Sequence, residues 1–148
     1  MVKNVVELVT AFGGSLGFAM LFGIRSKYWF SVSLGGMLDW FLYLCYLEVN
    51  CSPFWACFWA TVVISTFSEI SAQRRKAPAP LFFVPSIIPL IPGSSLYYAM
   101  NGIIEKDLFS VRYHGMQTIR FAMAIAGGMC CVMCGMKLLN LLKKNCGK

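Results

Sequence analysis

Pro78-Ala79-Pro80-Leu81-Phe82-Phe83-Val84-Pro85-Ser86-Ile87-Ile88-Pro89-Leu90-Ile91-Pro92-Gly93-Ser94-Ser95-Leu96-Tyr97-Tyr98-Ala99-Met100 has the apolar length of a bilayer span, carries no charge, and contains five prolines. About 20 mostly apolar residues suffice to cross about 30 Å of hydrocarbon as a helix. A proline inside a helix removes one backbone donor and clashes with the carbonyl four residues back. Pro85, Pro89 and Pro92 therefore free the carbonyls of Leu81, Pro85 and Ile88. Three such defects so close together predict a helix broken at Pro92-Gly93. A second half-helix is expected to start at Ser94 or Ser95, with serine capping the free amides.

Composition around this stretch points to the same solvent. The 148 residues are 58% hydrophobic and only 13% charged, with a mean hydropathy of +0.67. An ordinary soluble domain is about 25% charged. This balance excludes a soluble globular enzyme, and equally a disordered tail, which needs low hydrophobicity and high charge. Four further apolar runs approach span length, at residues 5–24, 28–47, 53–72 and 119–142. Backbone polar groups in lipid must pair internally, which selects helices. The expectation is an all-α membrane bundle: one transmembrane domain of five spans (5–24, 28–47, 53–72, 78–100, 119–142), the fourth broken. Five spans leave no room for a soluble catalytic domain, so no enzyme activity is expected. The first run follows Lys3 but is too long for a signal-peptide core and leads into a basic loop, so it reads as a retained helix.

The net charge of +7 sits in short clusters between the apolar runs, which suits a membrane surface and not a nucleic acid. With five spans, nine of the 13 Lys and Arg fall on the side holding the 1–2 loop, the 3–4 loop and the C-terminus: Arg25, Lys27, Arg74, Arg75, Lys76, Lys137, Lys143, Lys144 and Lys148. The positive-inside rule then predicts the N-terminus outside and the C-terminus in the cytoplasm.

Irregular backbone at membrane depth survives where it is buried in protein or lines a wet cavity. The start of a half-helix presents free N–H groups and the positive dipole end, an arrangement that holds substrate carboxylates in transporters. Pro92, Gly93, Ser94, Ser95 and Tyr97 are accordingly candidate substrate-binding residues. The alternative is a proline-kinked helix packed on its neighbours with no ligand. Asp39 lies mid-span, where an ionised carboxylate costs roughly 2.5–3.5 kcal/mol. It is a candidate for binding a substrate ammonium or carrying a proton; the alternative is a carboxylate that holds a partner subunit. Glu7 and Glu69 lie nearer span ends and read as boundary residues. Gly13 and Gly17, and the group Gly127, Gly128, Cys131 and Gly135, read as tight helix packing. Residues 101–118 form a polar connector in which Ile104, Leu108 and Val111 repeat at helical spacing, consistent with a segment lying along the outer interface.

His114 is the sole histidine, so neither a metal site nor a cofactor is indicated. Cys45, Cys57, Cys130, Cys131 and Cys134 fall inside apolar runs and Cys51 in the short 2–3 loop. A rival reading makes Cys131 and Cys134 the pair of a membrane thiol-disulfide oxidoreductase. Burial in an apolar helix disfavours the thiolate that this chemistry needs. A third reading is a non-catalytic scaffold subunit.

The run Glu69-Ile70-Ser71-Ala72-Gln73-Arg74-Arg75-Lys76-Ala77-Pro78-Ala79-Pro80, continuing through Val84-Pro85-Ser86-Ile87-Ile88-Pro89-Leu90-Ile91-Pro92-Gly93 to Leu96-Tyr97-Tyr98-Ala99-Met100, resembles the threonine/serine exporter (ThrE) family. Within it the closer match is the small-subunit, YjjB-like type. Gly17-Phe18-Ala19-Met20-Leu21-Phe22 is similar to the same family, and length and hydropathy agree across nearly the whole chain. The resemblance implies export of small hydroxy amino acids, or of a related small carboxylate. It also implies a bacterial inner membrane and a second multi-span membrane subunit. This chain looks like the C-terminal half of the longer members. If the partner supplies five spans of opposite sense, the pair forms an inverted repeat with substrate near the midplane. No family motif falls on Asp39.

Overall fold

The computed structural model describes residues 2–49 and 52–146. Cys51 and Lys148 lie outside them, as do the side chains of Lys3, Lys143 and Lys144. The chain runs α1 (Val2–Leu21), α2 (Ser26–Glu48), α3 (Pro53–Arg75), α4 (Pro80–Ile87), a 3-10 turn (Ile88–Leu90), α5 (Gly93–Glu105) and α6 (Leu108–Cys146). Four helices are long and apolar enough to cross a membrane. Counting Pro80–Leu90 and Gly93–Glu105 as one bent span makes five. The all-α bundle with a broken fourth span stands as expected.

Local chemistry sets the helix ends. Gly23 takes φ +64°, a backbone shape open to a residue without Cβ, so the amides of Gly23 and Ile24 turn back onto the carbonyls of Met20 and Ala19, both at 3.0 Å. Pro53 opens α3, where its missing N–H costs nothing. Lys76 closes α3 in the left-handed region. Lys106 does the same for α5. Asp107 then accepts the Phe109 amide at 3.0 Å and starts α6 at once. Hydrogen bonds from Ser110 hold the exposed Asp107 carboxyl below the usual carboxylate range. The connector expected at residues 101–118 is thereby corrected to a two-residue turn. The polar stretch joins the last apolar run in one 39-residue helix, about 58 Å long. Tertiary contact overrides its polarity: a Cβ on Gly102 would stand 3.0 Å from Val111 Cγ2, so α5 and the start of α6 form a close antiparallel hairpin.

Helix α2 is the centre of the bundle, flanked by α1, α3 and α4. Its buried face reads Val32, Gly35, Gly36 and Asp39, at helical spacing. A Cβ on Gly36 would overlap the Ser15 hydroxyl of α1, and one on Gly35 the Ser86 hydroxyl of α4. Small residues thus let three backbones meet. Ser86 adds polar glue by sharing its proton between the carbonyls of Phe82 at 2.7 Å and Val32 at 3.0 Å. On the basic side Arg75 donates to the Lys27 carbonyl at 3.1 Å and to the Ser31 hydroxyl, and it lies over the Tyr28 ring. One arginine of the 3–4 loop therefore fastens the end of α3 to the start of α2. Two clusters, one with Ala60, Ile64, Phe83 and Leu90 and one with Ala19, Val32 and Phe82, form the core. Both contain residues of the α4 segment.

Large side chains point the other way. Leu21, Phe30, Ile104, Leu108 and Phe109 are each more than 70% exposed, whereas many interior positions, among them Ser15, Ala19, Ala56, Ala60, Thr61 and Ser86, hold small residues. Only a hydrocarbon solvent makes that distribution favourable, since lipid tails are as apolar as leucine. Gly36→Val should therefore lower the stability of the purified protein by about 1–3 kcal/mol, read by thermal unfolding in detergent. Gly17→Ala, where a Cβ meets open space, should leave it unchanged.

Candidate functional site

The prolines act as the sequence suggests. Pro85 sits inside α4, the helix tightens to a 3-10 turn at Ile88–Leu90, and Ile91 is extended. The two halves of the span meet at 59°. The Ile88 carbonyl that Pro92 would leave bare is taken by the Ile91 amide at 3.1 Å. Helix α5 begins one residue earlier than expected, at Gly93. Its N-cap is Pro92, with no side-chain cap bond, which corrects the expectation that serine caps the half-helix. The Gly93 amide turns back to the Ile91 carbonyl at 2.7 Å, and the Leu96 amide closes the first helical bond to Pro92 at 3.1 Å. Ser94 and Ser95 keep the free amides, and the dipole end adds positive potential there.

Ser94 and Ser95 line a cleft of about 350 Å³, bounded also by Trp40, Tyr43, Leu90, Pro92, Gly93 and Phe121. One wall is aromatic: the Trp40 and Tyr43 rings stand 5.4 Å apart, and Tyr43 and Phe121 6.2 Å. Across Trp40 a second cleft of about 240 Å³ is lined by Glu7, Thr10, Gly14, Ile88 and Pro89. The Trp40 indole separates the two and donates to Glu7 Oε2 at 3.3 Å. The cleft lies off centre, since Tyr43 is about 8 Å from the Glu48 end of α2.

Of the sequence candidates, Pro92, Gly93, Ser94 and Ser95 come together at the cleft. Tyr97 does not line it; the side chain is 65% exposed and stacks edge-on against Tyr98. Asp39, the residue before Trp40, is fully buried and does not line the cleft, and neither carboxyl oxygen has a hydrogen-bond partner among the described residues. Trp40, Tyr43, Phe121 and Glu7 line these clefts and are candidate-site residues that the sequence reading missed. The Trp40/Tyr43 pair, one helical turn apart beside Asp39, was the only available signal. Glu7 reaches Trp40 from 33 residues away, which no local pattern encodes. Cys131 and Cys134 are exposed free thiols. Among the described residues no three His, Cys, Asp or Glu side chains converge on a common point.

The sequence profile of the threonine/serine exporter family, ThrE, matches residues 7–134. This chain belongs to the threonine/serine exporter family. With its apolar helices, that makes it a membrane protein of a transport family. An uncharacterized protein of Haemophilus influenzae is 29% identical over 109 residues, covering 74% of this chain and 37% of the relative. The chain therefore spans little more than a third of the length of the curated relative it matches. No solved structure matches it.

An unpartnered carboxyl in a packed interior is unfavourable by about 1–3 kcal/mol. Replacing Asp39 by Leu should therefore raise thermal stability in detergent by a comparable amount, as removal of strain at a functional residue does. A loss of stability would mean that Asp39 holds the bundle together.

Proposed function

We propose that this chain is one subunit of a secondary transporter that exports threonine, serine or a related small carboxylate across the bacterial inner membrane. It works with a second multi-span membrane subunit. The observation that carries the proposal is the interrupted fourth span, whose second half starts with Ser94 and Ser95 at an aromatic-walled cleft, in a bundle that also buries Asp39 with no partner among the described residues.

Each part of an amino acid then has a counterpart. The substrate carboxylate meets the Ser94 and Ser95 amides at the positive end of α5. The ammonium supplies the partner that Asp39 lacks, and charge-assisted hydrogen bonds of this kind are the strong ones. The volume near the break is that of a small solute. Asp39 does not line the cleft, so contact with the ammonium requires a rearrangement of α2 against its neighbours. The family supports the export of hydroxy amino acids. The length of the matched relative beyond this region supports a partner that completes the pathway. The charge bias supports an N-terminus outside and a C-terminus in the cytoplasm. The thiol-exchange reading gains nothing from the geometry, because Cys131 and Cys134 sit on the exposed face of α6.

The test is threonine efflux from cells that also express the partner subunit. Asp39→Asn should reduce efflux roughly 10- to 100-fold at normal expression, the scale of one charge-assisted bond. Ser94→Pro deletes one amide donor in the first helical turn, where proline is tolerated and Gly93 before it has no Cβ to clash. It should weaken apparent substrate affinity roughly tenfold. Normal efflux in both variants would leave this chain as scaffold only. A separate measurement addresses assembly: an affinity tag on this chain should retain a second multi-span protein, and cysteine labelling should place the two termini on opposite faces. Finding both termini in the cytoplasm would sink the inverted-repeat arrangement.

A further inference from the structure

The candidate cleft is the middle one of three that adjoin. The Glu7 cleft shares Trp40 and Pro89 with it. On the other side Phe121 also bounds a third cleft of about 390 Å³, formed with Pro53, Trp55 and Arg120. A ladder of rings, Trp40, Tyr43 and Phe121, crosses this continuous furrow in steps of 5.4 and 6.2 Å. Opposite charges stand at its two ends. Glu7 accepts the Trp40 indole at 3.3 Å, and Arg120 precedes Phe121 and is exposed. With three rings between them, neither neutralises the other within one chain.

Lipid is a poor cover for such a face. The aromatic wall shields the break from one side, but Gly93 and Ser94 remain exposed, and irregular backbone is not stable against hydrocarbon. Glu7 and Arg120 both fall within helices apolar enough to span, Asn4–Leu21 and Leu108–Leu138. Charges within spans face protein or water and pair with one another. At the Glu7 end, Gly14 has open space where a Cβ would stand, which admits the close approach of another helix. As first and fifth spans, α1 and α6 run in the same direction through the bilayer. Glu7 and Arg120 lie near the starts of the apolar runs 5–24 and 119–142, and so at similar depth. A two-fold axis along the membrane normal preserves depth and exchanges the ends of the furrow. It brings Glu7 of each copy to Arg120 of the other, the reciprocal geometry of an isologous dimer. We propose that the furrow is the interface between two copies of this chain, held by two reciprocal Glu7–Arg120 ion pairs. The pairing does not rest on the export reading, and it leaves the second subunit to another face of the bundle.

The test uses two differently tagged full-length chains, co-expressed and extracted in mild detergent. Unaltered chains should co-purify across the two tags. Glu7→Arg alone, or Arg120→Glu alone, sets like charges together at both contacts, and self-association of each variant should fall at least roughly tenfold. A chain carrying Glu7→Arg mixed with one carrying Arg120→Glu should regain the original co-purification, because both contacts are opposite pairs again. Only reciprocal contact between copies predicts that rescue, which also shows that each variant folds. Monomeric unaltered chains would overturn the proposal, as would single reversals that leave self-association intact. So would loss without rescue in variants that keep the original thermal transition. Retention of a different multi-span protein in place of the second copy would also overturn it, while leaving the export reading standing. Export is not read here, so the two failures are told apart.

Discussion

A peptide group in hydrocarbon has no water to fall back on, and the fourth span lacks the amides to satisfy itself. Pro85, Pro89 and Pro92 delete three donors over little more than two helical turns. The chain answers by tightening into the Ile88–Leu90 turn, by letting Ile91 close onto Ile88, and by restarting as α5 at 59° to its former course. The break has to be covered, because open irregular backbone cannot face lipid. Trp40 and Tyr43 of α2 and Phe121 of α6 provide that cover, and the cleft is the space left between cover and break.

The same solvent explains the texture of the interior. Helices in lipid gain little from burying leucine and much from close backbone approach and shared hydrogen bonds. The α1–α2–α4 junction shows both, with Ser15 seated on Gly36 and Ser86 on Gly35. Ser86 shares its hydroxyl between two helices, and Arg75 pins the start of α2 to the end of α3. Against that economy the buried oxygens of Ser15, Asp39, Ser65 and Ser68 stand out, because none has a hydrogen-bond partner among the described residues. Groups held in such a state usually mark function, since a sequence under selection for stability alone would replace them.

Family membership and site geometry bear on different questions. Membership rests on the match over residues 7–134 and places the chain in the threonine/serine exporter family. It does not say which atoms meet the solute. The geometry offers a helix start at an aromatic-walled cleft and, separately, a buried carboxyl without a partner among the described residues. Glu7, bonded to the Trp40 indole, adds a second acidic group across that ring from the cleft.

Much of this was readable along the chain. Hydropathy determined a helical membrane protein of five spans. Proline spacing determined that the fourth must break, and the break fell within a residue of Pro92-Gly93, because both depend on local chemistry: apolar length, missing donors and free φ. Folding decided the rest. The polar run 101–118 became helix through the approach of α5 at Gly102, a contact between helices that hydropathy along the chain does not record. Serine lost the capping role to Pro92 because the turn before α5 was already closed by backbone bonds. Asp39 was recognisable as costly wherever it lay, yet its complete burial depends on which face of α2 the neighbouring helices cover. Tyr97 illustrates the reverse, a residue near the break that the helix turns outward. Distances along a chain are set by bonds, but which oxygen is left without a partner is set only when helices from distant segments pack together.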